Sequence, residues 1–276
     1  GKWQDLKLMV SVLPQDGQQP LATEALQDND RQWGHPLALK TLLLFSDPEL
    51  VDAAPTTTDD LIAQAQALTD GQTYGLVYQA GTPFFHAPWM HGFGAESIGP
   101  NGAELNSQAH IDAYAFTQRL SHTLEIMPKR PTAQLLSQLY NDGRAAFVIS
   151  GPWFLSEIDR PIRASSLPII SENGQPAKPF LSVEAIFVAD GARLPQEAAD
   201  FAAWLSSSEG AQIRQDTGKQ AVTAIAIDPT DDPIISAVLE QSAQAVPLPT
   251  DSDISNVWRA QEKAMEALVS GGASAK

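Results

Sequence analysis

An α/β fold with ligands at the carboxyl ends of its strands is what this 276-residue sequence predicts, and three observations carry it. Apolar segments of strand length alternate with longer segments whose apolar residues recur at helical spacing. The helical segments carry recognisable start signals, and glycine or polar clusters separate them from the strands. Together these predict helices lying against a sheet, with the site at the strand ends.

The elements follow in order. Residues 6–14, LKLMVSVLP, read as a strand, and 15–31, rich in Gln, Asp and Gly, as a loop. LALKTLLLF at 37–45 reads as a second strand. Residues 56–68, TTTDDLIAQAQAL, read as a helix: the threonines can cap it, the aspartates suit the positive end of its dipole, and Gly71 stands just past its end. YGLVYQA, 74–80, is a short apolar strand. Residues 110–125 carry Ile111, Tyr114, Ala115, Leu120 and Leu124 at approximately helical spacing, and 133–140 repeat the pattern over a shorter length. AAFVIS at 145–150 and VEAIFVA at 183–189 supply further strands. Pro195 opens a helix to 205, and Ser206 with Glu209 has the spacing of a capping box that starts another. Helices at 233–245 and 253–269 close the chain.

Composition excludes several classes of function. The hydrophobic content of 43% suits one large domain or two modest ones. Seventeen basic against 33 acidic residues give 17 − 33 = −16, a balance that repels phosphate backbones and anionic headgroups, so nucleic acid is no expected partner. No apolar run reaches the roughly 18 to 20 residues that span a bilayer, and the opening GKWQDLKLMV has no recognisable signal segment. Without cysteine there is no disulfide, thiolate or Cys-ligated zinc, which fits an extracytoplasmic compartment.

Catalytic groups do not assemble. His35, His86, His91, His110 and His122 form no HExxH pair and read as solvated; no metal and no cofactor is expected. DPTDD at 228–232 lacks the glycine and the final glutamate of a calcium loop and reads as an exposed turn. Glu157, Asp159 and Glu184 offer carboxylate pairs that nothing singles out. No phosphate loop or nucleophile elbow appears, and the chain is not expected to be an enzyme. The aromatic residues are more distinctive. Phe84, Phe85 and Trp89 cluster in TPFFHAPWM just after one strand, Trp153 and Phe154 follow another, and Trp258 opens the last helix. A flat apolar ring suits the C–H face of a sugar, although a ring at helical spacing also suits a core.

NDGRAAFVISGPWFLSEID, LPIISENGQPAKPF and AADFAAWLSSSEGAQIRQDTG resemble, in this order and spacing, the maltose-binding-protein branch of the periplasmic sugar-binding proteins of ABC transporters, from about residue 33 onward. The resemblance implies a type II periplasmic-binding-protein fold, two α/β lobes closing on a sugar. The lobe at 41–164 and 222–276 would be complete; the other, at 1–40 and 165–221, would be reduced, because a complete member has further βα units at its start. It implies stacking plates at Trp153 and Trp258 and a third at Phe84, where the family has a tyrosine. Thr82, Ala133 and Lys40 stand where the family has polar sugar ligands, so polar recognition is thinned. The implied function is binding of a maltodextrin-like oligosaccharide for the membrane subunits of an ABC transporter, in the periplasm or another extracytoplasmic space, as a monomer or a tethered domain. The alternative is a non-catalytic docking or sensing domain, tethered to a permease subunit or sensor, with weak or no ligand binding. The small, glycine-rich tail LVSGGASAK reads as a flexible linker.

Overall fold

A computed structural model describes residues 9–99, 102–218, 220–224, 226–227, 232–249 and 254–275. Its frame is two four-stranded sheets. One has the strand order Tyr74–Val77, Ala145–Ser150, Leu43–Ser46, Arg163–Ser165. The other has the order Ala221–Val222, His35–Lys40, Phe180–Ile186, Val246–Pro247. Each combines one parallel pair with two antiparallel pairs.

The apolar stretch 37–45 therefore supplies two strands rather than one. His35–Lys40 ends in one sheet, Thr41 and Leu42 cross over, and Leu43–Ser46 begins in the other. A fully buried strand has no alternating pattern to mark where it stops, so the break leaves no hydrophobic signal. Thr41 pins the crossover: its buried hydroxyl donates to the carbonyl of Phe180 at 3.0 Å.

Ala145–Ser150 is buried at every position and lies inside the first sheet. On one side, Leu44, Ala146 and Ile149 join a core built with the helices Thr58–Leu68, Pro83–Gly92, Gln108–Gln118 and Ile254–Val269. On the other, Leu43, Phe45 and Val148 meet the helices Ala133–Asn141 and Pro233–Ser242. Leu42 and Leu44 thus face one helix layer while Leu43 and Phe45 face the other.

Other expectations change in detail. Of the strand expected at 6–14, residues 6–8 lie outside the described residues, and the rest makes only isolated bridges, Met9 with Ala189 and Val12 with Gln32. The helix at 110–125 is α-helical over Gln108–Gln118 and then widens to a π-helix over Arg119–Thr123. Ser206 does not cap Ser208–Gly218: its hydroxyl donates to the Pro36 carbonyl at 2.7 Å, while Ser207 accepts from the Gly210 amide at 3.4 Å. Asp232 caps Pro233–Ser242, accepting from the Ile234 amide at 2.8 Å; residues 228–231 lie outside the described set. The tail is not a free linker over 271–275. Gln118 donates to the Ala273 carbonyl at 2.8 Å and accepts from the Ala275 amide at 3.3 Å, and Ala275 packs on the larger core.

Candidate functional site

Gly151 leaves the strand Ala145–Ser150 extended, at φ −103° and ψ −179°, and Pro152 opens a 3-10 turn, Pro152–Glu157, where a missing N–H costs nothing. The indole of Trp153 folds back over that glycine. A Cβ placed on Gly151 would stand 2.1 Å from Cζ3 of the ring, so only glycine leaves the indole where it lies. The ring is half-buried against the larger core. It also borders a cavity of about 200 Å³ whose far wall is Leu39, Lys40 and Gln220. Trp153 comes from one sheet and Leu39 and Lys40 from the other, so this cavity lies between the sheets.

The helix Pro83–Gly92 brings up a second ring. Phe84 lies 6.2 Å from Trp153 and stacks on Phe180 at 6.1 Å and 28°. Phe180 in turn lies 5.6 Å from Trp258. The result is one aromatic row, Trp153–Phe84–Phe180–Trp258, with Phe180 buried in the middle and the other three half-exposed. The indole Nε1 of Trp258 is buried with no hydrogen-bond partner. Phe180 escaped the sequence reading, although it closes the motif GQPAKPF and opens the strand Phe180–Ile186.

Phe85 and Trp89 do not join the row as free plates. Phe85 is buried, and Trp89 is wholly buried and donates its indole N–H to the Tyr78 hydroxyl at 3.2 Å. Burial pushes the Tyr78 hydroxyl up to about 12, so it stays a neutral partner. These two rings anchor the helix that presents Phe84 and offer no face to a ligand. The histidines also differ from the solvated reading: His35, His86, His91 and His110 are buried. His86 stacks on Tyr114 at 5.0 Å with Nδ1 3.2 Å from the Thr117 hydroxyl; burial, followed by the nearby His110 and His91, pushes it down to about 3. Among the described residues, no three His, Asp or Glu side chains gather as metal ligands.

Polar groups around the row are sparse. Lys40 pairs with Glu184 at 2.6 Å, Thr82 donates to the Gln79 carbonyl at 3.1 Å, and Ala133 is exposed at the start of its helix. A larger cavity, about 590 Å³, opens beyond Thr82. Lys129, Arg130, Thr132, Lys263 and Glu266 line it. Sequence reasoning passed over it, though Lys129–Arg130 is the only adjacent basic pair in the chain.

Residues 1–233 match a family model described as bacterial extracellular solute-binding protein. The chain is 23% identical over 269 residues to the galactooligosaccharide-binding protein of Bacillus subtilis (strain 168), covering 90% of this chain and 63% of that protein. It is 23% identical over 285 residues to the maltodextrin-binding protein MdxE of the same organism, covering 91% and 67%. The chain thus spans about two thirds of the length of these relatives. Among solved structures, the maltose-maltodextrin binding protein of Alicyclobacillus acidocaldarius superposes with a TM-score of 0.89 at 20% identity, covering 100% of this chain and 78% of the other. A cyclo/maltodextrin-binding protein complexed with maltotetraose gives 0.86 at 21% identity, covering 100% and 76%. At such identities the likeness is one of fold.

Proposed function

Because the chain belongs to the bacterial extracellular solute-binding protein family and has the type II periplasmic-binding-protein fold, we propose that it binds a short, maltodextrin-like oligosaccharide for an ABC transporter, outside the cytoplasm. The observation that carries this reading is the aromatic row, whose Trp153 end borders a cavity between the two sheets. Half-exposed rings at the strand ends stack on sugar rings, while hydroxyl groups find partners at the edges. Trp153, Phe84 and Trp258 are the plates, and Phe85 and Trp89 brace them from the core. The reading divides the chain into a fuller lobe around 41–164 and 222–276 and a smaller one around 1–40 and 165–221. Binding is the whole of the activity, with the membrane subunits of the transporter as partners.

Calorimetric titration with maltotriose, maltotetraose and a galactooligosaccharide tests this directly. Saturable binding is expected, and Trp153→Ala should weaken it by about 1–3 kcal/mol, the scale of losing an aromatic stacking plate. No heat with any of the three sugars, or equal affinity after Trp153→Ala, would remove the reading.

One observation favours a second reading, a docking or sensing domain. Phe201 is 55% and Trp204 39% exposed on the helix Pro195–Ser206, with their rings stacked 6.0 Å apart, and Ile213 on the next helix, Ser208–Gly218, is 48% exposed. An apolar face of that kind is typical of a surface that meets protein. Its signature would be loss of association with transporter membrane subunits on Phe201→Ser, with sugar affinity unchanged.

A further inference from the structure

We infer that the larger cavity holds an anionic group of the ligand, a carboxylate or a phosphate, so that this protein takes an acidic oligosaccharide in preference to a neutral one. The inference rests on the oligosaccharide reading and extends the site to a second cavity, whose lining shares no residue with the first. The chain carries a net charge of −16, yet Lys129, Arg130 and Lys263 face one cavity of about 590 Å³. None of the three belongs to an ion pair among the described residues, where the pairs formed by lysine and arginine use Lys40, Arg119 and Arg160. All three are exposed to solvent, and an anion seated between them is attracted by each. Glu266 is the one carboxylate on the lining, and it leaves the cavity with an excess of positive charge. Thr82 and Thr132 also line the cavity; they are the N-cap residues of Pro83–Gly92 and Ala133–Asn141, so the positive ends of two helix dipoles add to the side-chain field. The C-terminal turn of Ile254–Val269, which also lines the cavity, opposes it with the negative end of a single dipole.

Position ties the cavity to the aromatic row. Thr82, on the cavity lining, stands two residues before Phe84, and Trp258 and Lys263 lie on one helix, about 7.5 Å apart along its axis and about 140° apart around it. A sugar stacked on the row can therefore extend a charged substituent to the cations. The volume is also in the usual range of ligand pockets, about 300–1,000 Å³. The uncharged Thr82 and Ala133, which look like losses for a neutral sugar, sit beside a recognition element of another kind.

The test compares three ligands that each keep both pyranose rings: maltose, glucuronosyl-α-1,4-glucose with its carboxylate, and maltose 1-phosphate. At low salt at least one acidic ligand should bind on the order of tenfold more tightly than maltose, the scale of one charge-assisted hydrogen bond, and which one identifies the anion. The advantage should shrink at 0.5 M NaCl, where the screening length falls below about 5 Å. The triple variant Lys129→Gln, Arg130→Gln, Lys263→Gln should abolish the preference while leaving maltose affinity and the thermal midpoint unchanged. Equal affinity for all three ligands, or a preference that survives the triple variant, overturns the inference and leaves the oligosaccharide reading standing. If no disaccharide binds, gluconate and inorganic phosphate are titrated with amide chemical shifts as the readout. Shifts at 129–132 that vanish in the triple variant keep the anion site and remove the sugar; their absence removes both.

Discussion

Gly151 and Trp153 form a unit in which a residue without a side chain sets the position of the largest one. A methyl group at 151 would meet ring carbons at 2.1 and 2.2 Å, and an indole at the rim of a cavity moves more readily than the strand behind it. Gly151→Ala should therefore swing the ring off its seat. The expected outcome is a loss of sugar affinity approaching that of Trp153→Ala, with a urea midpoint close to that of the unsubstituted protein. Calorimetry and urea melts read the two separately; a collapse of stability with unchanged affinity would contradict the arrangement. At this scale the motif GPWF was legible, because a glycine, a proline and a ring at a strand end each have a local reason. Phe180 was not, since nothing local distinguishes a phenylalanine that starts a strand from one that also links Phe84 to Trp258. Lys129, Arg130 and Lys263 were equally hidden, because the last comes from a helix more than a hundred residues away and only folding brings it to the other two.

Among the elements, those with their own start and stop signals were readable and those without were missed. The helix expected at 56–68 runs Thr58–Leu68, and Thr57 accepts from the Asp60 amide at 3.2 Å as its cap. The helix Pro83–Gly92 left no such trace: nine of its ten residues are buried, so no polar face marks a period, and Pro88 sits inside it. Pro88 removes an internal hydrogen bond, and the surrounding core, rather than helix propensity, holds the element in place. Two elements pack closely where Thr58–Leu68 crosses Tyr74–Val77. A Cβ on Gly75 would fall 2.1 Å from the carbonyl oxygen of Ala65, a backbone atom that cannot rotate away. Gly75→Ala should lower stability by about 1–3 kcal/mol or more, as overpacking does, and shift the urea midpoint with an unchanged slope. Affinity per folded molecule should be unaffected, because the contact is remote from the aromatic row.

For the molecule as a whole, the buried histidines set an acid limit. His35, His86, His91 and His110 all have pKa values lowered mainly by burial, His86 to about 3. Above the ordinary value of 6.5 the imidazoles are neutral both folded and unfolded, and they add no pH dependence. Below it the unfolded chain takes up protons that the folded one refuses, so stability falls with pH until the folded values are reached, about 3 for His86. Each such proton contributes a slope of about 1.4 kcal/mol per pH unit. The thermal midpoint should therefore drop between pH 7 and pH 5, a window above most carboxylates, and His86→Gln should flatten that drop. A midpoint constant across the window would contradict the burial. The sequence could show the histidines but not their surroundings, whereas the alternation of strands and helices and the long motifs carried the fold class. The two-residue crossover has a mechanical meaning as well. Thr41 and Leu42 are completely buried, and Thr41 is tied to Phe180 by its hydroxyl. A wide rotation there would tear open packed core and break that bond. Closure of the groove is therefore better served by a small sliding of packed layers than by a swing about an open hinge, and engagement of a ligand should be accompanied by slight, shear-like displacements.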